Sequence, residues 1–196
     1  MAAAEHITEN EANRMLASTL SSNNPERDAC IFMLGLKAGL RPGEIALLTW
    51  DTVLDSGYKH GKIIKPKKFT LPTRIVKGKK KTRAIHFNAY LWNALHQHFL
   101  ANFTSKKDRV FLTNKKKPFT PVNMRNWIVK KFKMVGIHGS GHSFRKKAGT
   151  DVYREVHKHG GTICDVKEFF GHSKVGITEA YIASNKRVMI QAAMSI

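Results

Sequence analysis

The side chains best suited to chemistry cluster toward the C-terminal part of the chain. Gly141-His142-Ser143-Phe144-Arg145 places a His and an Arg three residues apart, Gly171-His172-Ser173 adds a second His, and Tyr181 stands nine residues beyond it. A phenol that attacks a phosphodiester needs such company: fixed positive charge, imidazole groups and the phenol itself at one phosphate. On a helix, positions i and i+3 share a face, so His142 and Arg145 can reach one anion. Ser140 and Gly141 suit a helix start, where an anion is already favoured. Taken singly, each piece has a plainer reading: a surface His-Arg pair, a capping or core His172, a packing Tyr181.

The elements that must position these groups are mostly helices. Thr8 and Glu11 form a capping box for a helix with Ala12, Met15, Leu16 and Leu20 on its apolar face. A second helix, about Glu26 to Ala38, is apolar on most sides and therefore central, with Gly39 as its C-terminal break. Arg41 follows at a junction near the core, because Pro42 can start a short helix and Glu44 can pair with the Arg. From Thr52 to Phe87 the pattern changes to nine lysines between Lys59 and Lys81 interleaved with short apolar runs. That pattern predicts a small antiparallel sheet with a basic turn at Lys77-Gly78-Lys79-Lys80-Lys81. Helices then follow over Asn88 to Phe103, from Thr120-Pro121 onward, from His142 to about Tyr153, over Ile163 to Phe170 and around Tyr181. The fold class is mainly α with a small antiparallel β-sheet, an α+β arrangement read as a single domain over residues 1–196.

Charge narrows the partner. Lys and Arg number 34 against 14 Asp and Glu, a formal net of +20. Such an excess repels itself in a compact state and makes sense against a polyanion, nucleic acid before membrane, since no sustained basic amphipathic helix is present. No apolar stretch approaches the ~20 residues that span a bilayer, and the N-terminus lacks a secretion signal, so the expected location is cytoplasmic. Cys30 and Cys164 are expected in apolar helical settings as free thiols. His157, His159 and Cys164 match no usual zinc spacing, so no metal is expected.

The ordered set resembles one family. Gly-Leu-Arg-x-x-Glu over Gly39 to Glu44, a hairpin Lys, His-x-x-Arg, Gly-His-Ser and a Tyr nine residues on are together similar to the catalytic domain of tyrosine recombinases, over roughly Thr8 to Ala183. The resemblance implies a site-specific recombinase that integrates, excises or inverts double-stranded DNA. In that scheme Tyr181 forms a 3′-phosphotyrosine and frees a 5′-hydroxyl, His142 accepts the phenolic proton, and Arg41 and Arg145 hold the nonbridging oxygens. His172 donates a hydrogen bond to the phosphate, and a hairpin lysine, Lys77 or else Lys79, protonates the leaving oxygen. Glu44 buttresses Arg41. The resemblance implies no metal and no other cofactor, and a homo-oligomer on DNA, a tetramer for strand exchange. Related readings are a relaxing topoisomerase, a telomere resolvase, or a non-catalytic DNA-binding regulator. Against the family pattern the sequence is expected to begin directly at the catalytic domain, without the N-terminal DNA-clamping domain of many relatives, as a minimal recombinase or a fragment. The interval from Arg145 to His172 is longer than usual in the family, with Tyr153 to Gly160 expected as a loop insertion outside the site. The apolar tail from Asn185 to Ile196 either docks on a neighbouring protomer or packs in cis.

Overall fold

The computed structural model describes residues 6–54, 57–59, 62–76, 82–172 and 174–179. Helix α1 (Glu9–Ala17) starts where expected: the Thr8 hydroxyl accepts the Glu11 N–H at 3.2 Å and the Glu11 carboxylate accepts the Thr8 N–H at 2.7 Å. It stops at Ala17, so Leu20 falls past the helix and is 81% exposed rather than part of the apolar face. Asn24 caps α2 (Pro25–Ala38), whose Cys30, Ile31, Phe32 and Leu34 are wholly buried. Helix α2 is the hub of the core.

Gly39 ends α2 at φ 58°, the left-handed region that a glycine enters without steric cost. A side chain there would also run into the Phe170 ring. Two short helices follow, α3 (Pro42–Leu47) and α4 (Trp50–Leu54). The expected sheet is present as two separate antiparallel ladders among the described residues: β1 (Tyr58–Lys59) with β2 (Lys62–Ile63), and β3 (Lys68–Leu71) with β4 (Arg83–His86). Pro66, which has no N–H to give a ladder, lies between them. In the second ladder Phe69 pairs with Ile85 and Leu71 with Arg83, and all four side chains face inward.

Helix α5 (Ala89–Asn102) packs on α2, and α6 (Pro121–Met134) packs on α3. The last three helices among the described residues are α7 (Gly141–Lys158), α8 (Ile163–Phe170) and α9 (Val175–Glu179). Helix α7 continues past Tyr153, so Tyr153 to Lys158 are helix rather than the loop insertion expected from sequence. Val152, Tyr153 and Val156 pack against a small cluster of Ala148, Val166 and Phe170, which extends the helix by more than a turn. Cys164 also departs from expectation, being exposed. The face that α8 buries is set by Val166 and Phe170, four apart, and Cys164 lies on the other side.

Candidate functional site

The site is built where α2 ends, α3 and α7 begin, and α8 ends. Arg41 stands at the N-cap of α3 with Pro42 behind it. Its N–H donates to Glu44 Oε2 at 2.8 Å, and its Nη1 donates to Glu44 Oε1 at 2.8 Å. Helix α7 starts against this turn, since a side chain at Gly141 would strike the Pro42 ring. Ser140 caps it, its hydroxyl accepting the His142 N–H at 3.2 Å, while Ser143 Oγ accepts the Ser140 N–H at 3.1 Å. His142 is exposed in the first turn, and Arg145, one turn further, is wholly buried. The His-x-x-Arg pair thus runs from the surface into the core of the site.

Arg145 is the centre of the polar network. It donates through Nη1 to the Gly39 carbonyl, and through Nη2 to the Phe170 carbonyl at 3.2 Å and to His172 Nε2 at 2.8 Å. Its guanidinium lies 4.6 Å from the Phe170 ring centroid. His172 follows Gly171, the left-handed cap that ends α8 at φ 64°. Because Arg145 only donates, His172 Nε2 accepts, and its Nδ1–H donates to Thr178 Oγ1 at 3.0 Å. Burial, then Arg145, Arg41 and Arg83, push the imidazole down to about 4, so the ring is neutral at pH 7.

Glu44 gathers the positive charge. Burial alone would raise its carboxyl, but Arg83, the Arg41 N–H and the guanidiniums of Arg41 and Arg145 together hold it below the ordinary carboxylate value. Arg83 Nη2 reaches Glu44 Oε2 at 3.2 Å and its Nη1 reaches the Phe170 carbonyl at 3.3 Å.

The structure therefore links Arg41, Arg145 and His172, from three separate segments of the chain, through Glu44, Arg83 and the Phe170 carbonyl, and leaves His142 exposed one turn before Arg145. Lys77, its alternative Lys79 and Tyr181 lie outside the described residues, as does the tail 185–196. Sequence reasoning missed Arg83, Thr178 and the carbonyls of Gly39 and Phe170. For Arg83 a signal exists: it shares the inward parity of Ile85 on a two-residue repeat, so a charge at that position has to be partnered.

The described surface carries many cations. Lys62, Lys65, Lys67 and Lys68 near the ladders, Lys115 to Lys117 in a loop, and Arg125, Lys130 and Lys133 on α6 are all exposed. No helix among the described residues is long and apolar enough to cross a membrane.

Comparison with known proteins bears on the fold. The structure is similar to XerA recombinase, at 20% identity and TM-score 0.73, covering 97% of this chain and 62% of that one. It is similar to the Tn1549 transposon integrase in complex with transposon right end DNA, at 15% identity and TM-score 0.71, covering 97% and 65%. It is also similar to the catalytic domain of bacteriophage HP1 integrase, at 19% identity and TM-score 0.60, covering 96% and 94%. The chain thus spans less than two thirds of the XerA and Tn1549 proteins and nearly all of the HP1 catalytic domain. No curated protein matches it by sequence. The mainly helical fold with its small antiparallel ladders is that of a tyrosine recombinase catalytic domain. The family model described as the phage integrase family matches residues 5–187, and the chain belongs to that family.

Proposed function

We propose that the chain is the catalytic domain of a site-specific DNA recombinase that cuts and rejoins DNA through a 3′-phosphotyrosine on Tyr181. The observation that carries this reading is the convergence of Arg41, Arg145 and His172 on one buried network, from segments as distant as α3 and the residues after α8, with His142 exposed one turn before Arg145 on α7. The net charge of +20 supports a DNA partner. So do the solved relatives, among them the XerH recombinase bound to its difH substrate.

In this reading the Tyr181 oxygen attacks phosphorus and its proton passes to His142. The bond to the 5′ oxygen breaks, and that oxygen takes a proton from Lys77 or Lys79. Arg41 and Arg145 hold the nonbridging oxygens as they gain charge, a task suited to a planar and permanently charged guanidinium. The attack of a second 5′-hydroxyl reverses the step, so the phosphodiester energy is retained without ATP. For His172 to donate to the phosphate, its proton must move to Nε2. Arg145 therefore has to give up that nitrogen as substrate enters. Residues 1–196 act as one catalytic domain. Strand exchange uses a homo-tetramer on DNA, with 185–196 either docking on a neighbour or packing in cis.

The test uses a duplex site recovered by selection from random sequence and nicked close to the scissile phosphate, so that the cleaved strand cannot rejoin. Wild type is expected to accumulate a covalent adduct and Tyr181→Phe to form none. An adduct that persists in Tyr181→Phe sinks the assignment. Specific binding without cleavage by wild type would favour a non-catalytic DNA-binding regulator.

A further inference from the structure

Arg83 opens β4 and is 4% exposed, with its side chain running inward beside Leu71 and Ile85. Its stem lies along the end of α8, where a side chain on Gly171 would meet Arg83 Cδ at 3.5 Å. A guanidinium is an expensive group to bury. Here the expense is compounded, because Arg83 Nε is buried with no hydrogen-bond partner among the described residues. Packing alone would be served as well or better by an apolar side chain at this inward position. What an apolar residue cannot do is bridge two acceptors.

Both acceptors are shared. Glu44 Oε2 takes Arg83 Nη2 at 3.2 Å and the Arg41 N–H at 2.8 Å, while Oε1 takes Arg41 Nη1. The Phe170 carbonyl takes Arg83 Nη1 at 3.3 Å and Arg145 Nη2 at 3.2 Å. Arg83 is therefore one hydrogen-bonded step from Arg41 on one side and from Arg145 on the other. It joins α3 to the end of α8 through a strand that belongs to neither.

We propose that Arg83 is a positioning residue for DNA cleavage: by spanning the Glu44 carboxylate and the Phe170 carbonyl, it fixes the spacing of the Arg41 and Arg145 guanidiniums at the phosphate. This rests on the reading of the chain as a strand transferase acting through Tyr181. The effect is geometric, since displacing a phosphate-holding group by about 1 Å is enough to slow a reaction about 100-fold.

The experiment is single-turnover adduct formation on the nicked substrate at saturating protein, with folding followed by thermal melts and DNA affinity by anisotropy. Arg83→Lys keeps the charge, but one ammonium cannot span both acceptors. It is expected to bind DNA within about twofold of wild type and to form adduct roughly 10- to 100-fold more slowly. Glu44→Gln should slow cleavage similarly, and the double variant should be no slower than the slower single one, because both act through one bridge. A substrate with sulfur at the 5′ bridging position needs no proton on its leaving group. It should restore a variant lacking Lys77 and Lys79 but not Arg83→Lys.

A folded Arg83→Lys protein that cleaves at the wild-type rate overturns the inference, as do additive effects with Glu44→Gln. Restoration of Arg83→Lys by sulfur also overturns it, by moving the role to the hairpin lysine. If Arg83→Lys does not fold, Glu44→Gln decides alone, and wild-type cleavage by that variant overturns it. An absence of adduct from wild type removes the functional reading and this inference together, whereas normal cleavage by Arg83→Lys removes only the inference.

Discussion

His172 and His98 are both held neutral, and the environments that do so differ. His98 is 1% exposed on α5, donates from Nε2 to the Val110 carbonyl at 2.8 Å, and stacks on Phe111 at 5.0 Å. Burial is the main cause that brings it to about 4, the value also reached by His172. In each case the folded value lies below the ordinary 6.5, so the unfolded chain binds more protons between those two values. Their contribution to stability is complete above 6.5 and is lost as pH falls toward 4. The melting temperature is expected to fall between pH 7.5 and pH 5, and His98→Gln should flatten that fall by removing one of the two groups. A melting temperature unchanged across the interval would refute the assignment. At this scale the sequence was informative about residue types and silent about depth. His142 and Arg145 read as one face of a helix, yet one is exposed and the other wholly buried. Depth is decided by what packs above a residue, here the α2 terminus and α8, which no local spacing encodes.

At the scale of elements, the ends were legible wherever a side chain caps its own neighbour. Thr8, Thr120 before Pro121, and Ser140 each accept a nearby N–H, and that chemistry is written in adjacent residues. Helix α4 was not legible, because five residues are too few to show a period. The true length of α7 was not legible either, because its last turn rests on α8 rather than on its own sequence. The Gly39 break carries more than a turn, since its φ of 58° and the Phe170 ring lying against it fix how α2 meets the end of α8. Gly39→Ala is expected to destabilise the fold by about 2–4 kcal/mol, combining left-handed strain with overpacking. Urea unfolding measures this, and a loss under about 0.5 kcal/mol, typical of a neutral surface change, would contradict it.

Across the whole molecule, the acidic residues are partly spent inside. Asp28 and Glu44 are buried against Arg27 and Lys131, and against Arg41 and Arg83, while Glu9 pairs with Lys147. The surface offered to a ligand is therefore more one-sided in charge than the total suggests. DNA affinity is expected to weaken by about 1,000-fold or more between 50 and 200 mM salt, as for a protein contacting about six or more phosphates. Anisotropy titrations test this, and a log–log slope shallower than about −2 would mean too few phosphate contacts for the proposed interface. The family was legible from six separated residues because chemistry restricts their types and order, even though the solved relatives named above share only 15–20% identity with the chain.

The acceptor that Arg83 and Arg145 share is main chain, the carbonyl of Phe170. An alanine scan is blind to it. Phe170→Ala would delete the ring over Arg145 and leave the oxygen in place, so any loss would be credited to the aromatic contact. The junction can be retuned only by turning the peptide itself, and the residue that holds that peptide is Gly171, at φ 64°.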